Sequence, residues 1–177
     1  SIVKLEIPDC YTEIGKGALA PLTSLSELRL PFVGGSAHEN TFLAYLFGAG
    51  SYRDNHFSFQ AEVGYNALTK VNEDYSALLI PQTLTKVVVT GTPGTIAEGA
   101  FYHAMSLEKV VFLDPYELYA VGDSAFEGCI SLGYDSTLDI ANPLSFLGTV
   151  ETIGKDAFAA YISEENSEGS TYIFTRL

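Results

Sequence analysis

The chemistry most easily read into this chain is that of the triplet 122–124, Gly-Asp-Ser, in which Ser124 could act as the nucleophile of an ester hydrolase. A serine nucleophile needs a base oriented toward it, and the sequence suggests no His–Asp pair near this position. Two related segments of the chain carry Gly-Lys-Gly and Gly-Lys-Asp at the same place, so the triplet follows a structural pattern. We therefore predict that the protein is not an enzyme.

Residues that could hold a metal or a phosphate lack the necessary spacing. The three histidines, His38, His56 and His103, share no metal-site spacing, and the pair 38–39 lacks the second histidine of the HExxH pattern. The glutamates of segment 164–168 lack the alternating oxygen ligands of a calcium loop. The glycine-rich turns at 32–36 and 91–94 lack the Gly-Lys-Ser/Thr of a phosphate loop. We predict no metal and no cofactor.

Composition narrows the classes of partner. Of 177 residues, 47% are apolar, which is enough to bury a core. The formal net charge of −13 disfavours binding to nucleic acid or to an anionic membrane surface, and no apolar stretch approaches the roughly 20 residues that cross a bilayer. The two cysteines, Cys10 and Cys129, cannot form a disulfide framework, and we predict that both are small buried apolar groups. Cysteine usage leaves the cellular compartment open.

The elements that position these residues come from an internal repeat. Its pattern is an aliphatic residue, usually Gly, two polar or small residues, Ala, and then Phe or Leu. The four copies are residues 14–19, 96–101, 121–126 and 153–158. After Ala18 and Ala100, apolar residues follow at offsets +7, +10 and +12. After Ala125 the residue at +7 is again apolar, and the next two apolar residues come three positions later than in the other copies. Repetition of this kind is typical of chains built from stacked coils.

The spacing L-x-x-L-x-L predicts five short strands, each apolar on one face. They are expected within residues 2–7, 25–30, 84–89, 107–112 and 132–140. Pro8, Pro31 and Pro81 fall where strands are expected to end.

Between strands, the repeat predicts core residues and tight turns. We expect Leu19 and three phenylalanines to fill the layer between coils, these being Phe101, Phe126 and Phe158. The glycines at 15, 122 and 154 are expected to supply a positive φ at each turn.

The pattern I-G-x-x-A-F, followed by L-x-x-[IV]-x-[IL] and often Pro, resembles the BspA-like leucine-rich repeats, which are common in bacterial surface proteins. The resemblance covers about residues 1–31 and 78–160. A second resemblance, carried by segments 30–36, 46–49 and 80–91, is to an insertion that recurs in Firmicute members. The family implies a leucine-rich-repeat solenoid with a parallel β-sheet on one face, turns and short helical segments on the other, and one insertion. It also implies an extracellular or cell-surface location.

We expect a single domain over residues 1–177, with an insertion at about 32–77 and a degenerate terminal repeat at about 150–177. Within the insertion, Phe42, Tyr45, Leu46 and Ala49 have the spacing of a short amphipathic helix, which Gly48 and Gly50 would end. We interpret Phe42, Tyr45, Leu46 and Phe47 as a hydrophobic plug that covers the gap left by the long excursion. Three further residues of the insertion are of types that favour interfaces and are candidates for partner binding: Tyr52, Arg53 and His56.

The strand alternation also predicts which side chains face outward. The candidate partner-binding residues on the exposed sheet face are Lys4, Glu6, Glu27, Arg29, Lys86, Val88, Lys109 and Val111. Four of the nine basic residues lie in this set, so we expect the face to contact an acidic or mixed protein surface. The alternative is that these lysines only keep a solvated sheet soluble.

Three functions are compatible with these features of the sequence. The first is a cell-surface or secreted protein-binding module for adhesion or host interaction. The second is a structural spacer with no ligand of its own. The third is a carbohydrate-binding protein with its site in the insertion, although the chain has no Trp to stack on a sugar.

Overall fold

The computed structural model describes residues 1–48, 57–59, 78–133 and 145–159. Its main element is a four-stranded parallel β-sheet in which the strands follow one another in chain order. These strands are β1 (Lys4–Glu6), β2 (Glu27–Leu30), β5 (Lys86–Val89) and β7 (Lys109–Phe112). Four of the five predicted strand segments are thereby confirmed, and the strand expected at the end of segment 132–140 lies outside the described residues.

The strands are held in register by the repeated apolar spacing. Leu5, Leu28, Val87 and Val110 are neighbours across the sheet and form one inward row. Leu30, Val89 and Phe112 form a second inward row, and the members of both rows from β2 to β7 are buried. Burying one such side chain stabilises a fold by about 1.5–3 kcal/mol. Since each row is completed only by the neighbouring strand, that gain depends on stacking.

The opposite side of the molecule carries the repeated turns. A narrow parallel sheet there contains β6 (Thr95–Ile96), β8 (Ala120–Val121) and β9 (Thr152–Ile153). The rings of Phe101 and Phe126 stack with centroids 4.9 Å apart, and those of Phe126 and Phe158 stack at 5.2 Å. The expected core position of these phenylalanines is confirmed, with Phe158 only partly buried.

The second coil, which begins with β2, has a 3-10 helix at Leu43–Leu46 where the other coils have the repeat turn. This helix is hydrogen-bonded to the repeat turns on both sides: the Gly17 N–H donates to the Tyr45 carbonyl oxygen, and the Leu43 N–H donates to the Ala100 carbonyl oxygen. The predicted amphipathic helix is wrong: this helix is a single turn that begins after the extended Phe42 and is followed by Gly48 at φ 73°. Its residues Leu43, Ala44 and Leu46 are all buried, so it has no polar face, and the plug interpretation of this segment is supported.

The remaining described elements are short. Strand β3 (Phe57–Phe59) pairs antiparallel with β4 (Leu79–Pro81), and 3-10 helices occur at Pro115–Glu117 and Ser145–Thr149. The parallel strands, the turns and the scarcity of helix fit a leucine-rich-repeat-like fold. Three expectations about domain organisation stay predictions: the insertion at 32–77, the degenerate repeat at 150–177 and the single domain over 1–177. Much of the insertion and of the terminal repeat lies outside the described residues. Within the described ranges, no helix has the length and apolar character needed to cross a bilayer.

The role expected for the repeat glycine is wrong. The left-handed residue of each turn is not the glycine after the aliphatic position but the residue immediately before Ala. These residues, with their φ angles, are Gly17 (72°), Gly99 (63°), Ser124 (53°) and Asp156 (55°). Because a left-handed φ is tolerated by Gly and, at some cost, by small polar residues, the fourth repeat position varies among these types.

At two of the four repeat copies, the glycine at the second position is required by the close approach of neighbouring coils, whereas the copy 96–101 has Ala97 there. A Cβ atom at Gly122 would lie 2.6 Å from the Glu98 backbone nitrogen, and one at Gly154 would lie 2.5 Å from the Asp123 backbone nitrogen. The equivalent Gly15, in the first coil, has nothing within 4 Å of such an atom.

Replacing Gly122 by Ala should therefore destabilise the protein by about 1–3 kcal/mol, because backbone atoms must move apart. Replacing Gly15 by Ala is the matched control and should cost nothing, with a gain of up to about 1 kcal/mol from the stiffer unfolded chain. Urea unfolding of both variants measures the difference. Equal stability of the two would show that coil contact does not select the glycine.

Candidate partner-binding face

The outer face of the four-stranded sheet presents two rows of side chains, one residue from each strand. The first row is Lys4, Glu27, Lys86 and Lys109, and the second is Glu6, Arg29, Val88 and Val111. The structure therefore brings together all eight candidates predicted on the sheet. Parallel register places residues at equal repeat offsets beside one another, which is why the rows are straight.

Glu27 organises the first row. Its two carboxylate oxygens contact the ammonium groups of its neighbours, with Oε1 3.0 Å from Lys86 Nζ and Oε2 3.0 Å from Lys4 Nζ. The hydrogen bond from Lys86, then that from Lys4, hold the pKa of Glu27 below its ordinary value, against the opposing effect of partial burial. The Glu27 side chain is only 26% exposed, and the ammonium groups of both lysines lie beside its carboxylate.

The second row contains one ion pair and an apolar end. Arg29 Nε lies 3.3 Å from Glu6 Oε1, but this nitrogen is buried and makes no hydrogen bond within the described residues, so the contact is an ion pair without hydrogen-bond geometry. Val88, flanked in register by Arg29 and Val111, is only 6% exposed although its position faces outward. Val88 thus offers little surface to a partner, whereas Val111 is half-buried.

Lys109 differs from the other three cations of the face. Among the described residues no acidic side chain lies within ion-pair distance of it, and its neighbour in the row is Lys86, which is engaged by Glu27. The expectation of a basic face is therefore refined: Lys4, Lys86 and Arg29 are ion-paired within the rows, but by only two carboxylates, those of Glu27 and Glu6, so the face keeps an excess of positive charge. The strand register brings these opposite charges together. The sequence indicates the pairing because acidic and basic residues alternate at equal repeat offsets in β1, β2 and β5.

Other predicted residues are not placed on this face. Tyr52, Arg53 and His56 lie outside the described residues, so their candidacy stays a prediction.

The residues that suggested catalysis have structural roles. Asp123 Oδ1 accepts a hydrogen bond of 2.7 Å from the Lys155 N–H, and the Ser124 N–H donates to the Lys155 carbonyl oxygen. Asp123, through its carboxylate, and Ser124, through its backbone N–H, thus join the repeat turn 121–126 to the repeat turn 153–158. Among the described residues, no group of three His, Cys, Asp or Glu side chains is placed to hold a metal ion.

The two cysteines occupy opposite environments. Cys129 is buried, its thiol contacts the Phe101 carbonyl oxygen at 3.0 Å, and burial raises its pKa far above the ordinary range. Cys10 is exposed in the loop after β1, so the expectation that both thiols are buried is wrong for this residue.

No protein-family model and no curated protein sequence matches the chain. A leucine-rich repeat protein from Bacteroides ovatus, known from a crystal structure, is similar with 19% sequence identity over 89% of this chain and a TM-score of 0.42. The match covers 34% of that protein, so this chain spans about a third of its length.

The ion pairs of Glu27 predict a pH-dependent contribution to stability. Glu27→Gln should lower the free energy of unfolding at pH 7 by about 0.5–1 kcal/mol, the range of partly exposed pairs. Because the folded pKa is lowered, the contribution is present above the unfolded carboxyl pKa of about 4.3 and is lost as pH falls through the folded pKa. Urea titrations from pH 7 to pH 3 measure the difference between wild type and variant. Glu98→Gln, which removes an exposed carboxylate from a repeat turn, is the control and should show no such trend.

Thiol reactivity should separate the two cysteines. Since thiolate is the reacting form, Cys10 should react with an aromatic disulfide reagent in the native state, and Cys129 only after unfolding. Counting released thiolate by absorbance gives one reactive thiol in buffer and both in denaturant. Cys10→Ser should abolish the native reaction. Rapid modification of the native Cys10→Ser variant would contradict the buried position of Cys129.

Proposed function

We propose that this chain is a protein-binding module without enzymatic activity that uses the outer face of its parallel sheet. In this proposal the coils form a BspA-like solenoid with an insertion of the Firmicute type, and the protein is secreted or displayed at a cell surface for adhesion or host interaction. The proposal rests on the repeat pattern and on the geometry of the face. The partner is a protein rather than nucleic acid or membrane, because the net charge of −13 repels phosphate.

The observation that carries the proposal is the fixed arrangement of charges on the face. Glu27 clamps Lys4 and Lys86, and Arg29 is paired with Glu6, so these long side chains are ordered before a partner arrives. A surface ordered in advance loses less side-chain entropy on binding than a mobile one does. The alternating charges suit a partner of mixed charge, in which an acidic group meets Lys109.

A structural spacer is the second candidate, and the same ion pairs favour it. Three of the four cations on the face are already satisfied by acidic neighbours, as expected of a surface that only links coils and stays solvated. The two functions differ in what they require of Lys109. A binding face needs its charge, whereas a spacer does not.

Reversal of the charge at Lys109 separates these functions. Wild type and Lys109→Glu should be passed over immobilised extracellular-matrix proteins, mucins and glycans at two salt concentrations, with binding measured by surface plasmon resonance. We expect saturable binding to a protein that weakens with salt and falls about five- to thirtyfold in the variant. The variant should fold at least as well as wild type, because the new carboxylate lies beside Lys86.

Lys155→Glu is the matched control, since Lys155 is 84% exposed and lies in a repeat turn away from the face. It should bind as wild type does. Binding that survives Lys109→Glu unchanged would move the interface elsewhere on the molecule. A folded wild-type chain that binds none of the immobilised proteins would favour the spacer, and binding to glycans alone would favour the carbohydrate alternative.

A further inference from the structure

A cleft of about 630 Å³ lies between the loops that follow β2, β5 and β7. Its floor is the loop 90–94, which has five residues between β5 and β6, whereas the next loop, 113–119, has seven between β7 and β8. Because the middle loop is shorter than its neighbour, and the chain after β2 is also long, the middle coil is recessed between two walls. The volume falls within the range of about 300–1,000 Å³ that is typical of ligand pockets.

The floor of the cleft is bonded to both walls. The Thr90 and Gly91 N–H groups donate to the carbonyl oxygens of Leu30 and Pro31 on one side, and the Gly94 carbonyl oxygen accepts from the Tyr119 N–H on the other. Backbone hydrogen bonds on both sides fix the separation of the walls. The cleft is therefore formed before any ligand enters.

Two glycines make this packing possible. A Cβ atom at Gly91 would lie 2.3 Å from the Pro31 carbonyl oxygen, and one at Gly94 would lie 2.7 Å from Tyr119 Cε1. The Tyr119 ring consequently lies close to the floor at Gly94, although the residue is 56% exposed. An exposed aromatic ring held by backbone contact is a suitable wall for an apolar group.

The lining contains no acidic side chain and, apart from His38, no basic one among the described residues. Its accessible apolar surface comes from Val33, Pro93 and Tyr119, over the buried Phe32, Ile96 and Phe112, and hydroxyl groups come from Ser36 and Thr41. Among the described residues that line the cleft there is no Asp, Glu, Lys or Arg, although the chain has 31 such residues. A charged group would lose its hydration here without gaining an ion pair.

Beyond the lining, the same two wall loops are acidic. Asp114 and Glu117 lie exposed in the second wall loop, close in sequence to the lining residues Phe112 and Tyr119. Glu39 is also exposed and belongs to the first wall loop, but it lines a separate hollow beside Glu13. A cleft with carboxylates on its second wall loop suits a ligand that carries a basic group beside an uncharged one.

From these observations we infer that the cleft between loops 31–41, 90–94 and 113–119 binds a segment of a partner protein that carries an aromatic or proline side chain next to a basic residue. This inference rests on the proposed protein-binding function and adds a second contact on a different side of the strands. A carbohydrate is disfavoured because the lining among the described residues supplies no carboxylate or amide side chain for sugar hydroxyls.

The test uses blocked peptides and the whole chain labelled with ¹⁵N. The probe Ac-Lys-Tyr-Pro-Lys-NH2 is titrated at millimolar concentration against Ac-Lys-Gly-Gly-Lys-NH2, Ac-Glu-Tyr-Pro-Glu-NH2 and a mixture of methyl glycosides. We expect saturable shifts of the Gly91, Gly94 and Tyr119 amide signals with the first probe. The glycine peptide should bind at least about tenfold more weakly, because it lacks the apolar groups.

Two variants alter the cleft by different means. Thr92→Phe, at an exposed position of the floor loop, fills it, and Gly94→Ala pushes the flexible Tyr119 ring out of place. Each should weaken the first probe at least about tenfold. Thr23→Phe is the matched control at an exposed threonine before β2, at the opposite end of the strands, and should leave binding unchanged.

The outcomes also separate this inference from the proposed function. Equal binding of the tyrosine and glycine peptides, shifts confined to other amides, or shifts caused only by the glycosides would overturn the cleft as a peptide site. Loss of partner binding in Lys109→Glu with no effect of Thr92→Phe on that partner would overturn it while the sheet-face function stands. Peptide binding that persists when no protein binds the sheet face would support the cleft and leave the sheet-face function refuted.

Discussion

Lateral stacking of coils is the constraint on which the rest of the structure depends. A single coil here is a short strand, a loop and a turn, and it has no second layer against which to bury its leucines. The inward rows are completed only when the next strand is aligned residue for residue, as Leu28 is with Val87 and Val87 with Val110. The stacked rings of Phe101, Phe126 and Phe158 show the same dependence on the opposite side.

The same register that completes the core also determines the outer face. Once the inward residues are aligned, the residues between them must also form rows, and their charges become direct neighbours. Glu27 thereby meets Lys4 and Lys86, and Glu6 meets Arg29. Opposite charges at these positions favour the pairing that the core requires, whereas Lys86 and Lys109, which are also neighbours in register, oppose it.

Variation between coils creates features that a perfect repeat would lack. Loops of equal length would form a smooth flank, whereas the short loop 90–94 leaves a recess bordered by Pro31 and Tyr119. The second coil likewise replaces the repeat turn with the buried segment Leu43–Leu46, yet keeps its hydrogen bonds to both neighbours. A repeat protein can acquire distinct sites in this way, because loops may change in length while the strands stay aligned.

The sequence by itself determined the strand positions, the inward leucines and valines, the phenylalanine ladder and the set of residues on the outer face. These follow from period-two alternation and from repeat spacing, which are local properties of the chain. Only the tertiary structure decided that Glu27 joins two lysines, that Val88 is buried, and that Gly122 is needed for coil contact rather than for a positive φ. It also decided that Cys10 is exposed and that three loops enclose a cleft. Most of these depend on residues about 20 to 60 positions apart in the chain, and a local pattern carries no information about the length or shape of the coil beside it.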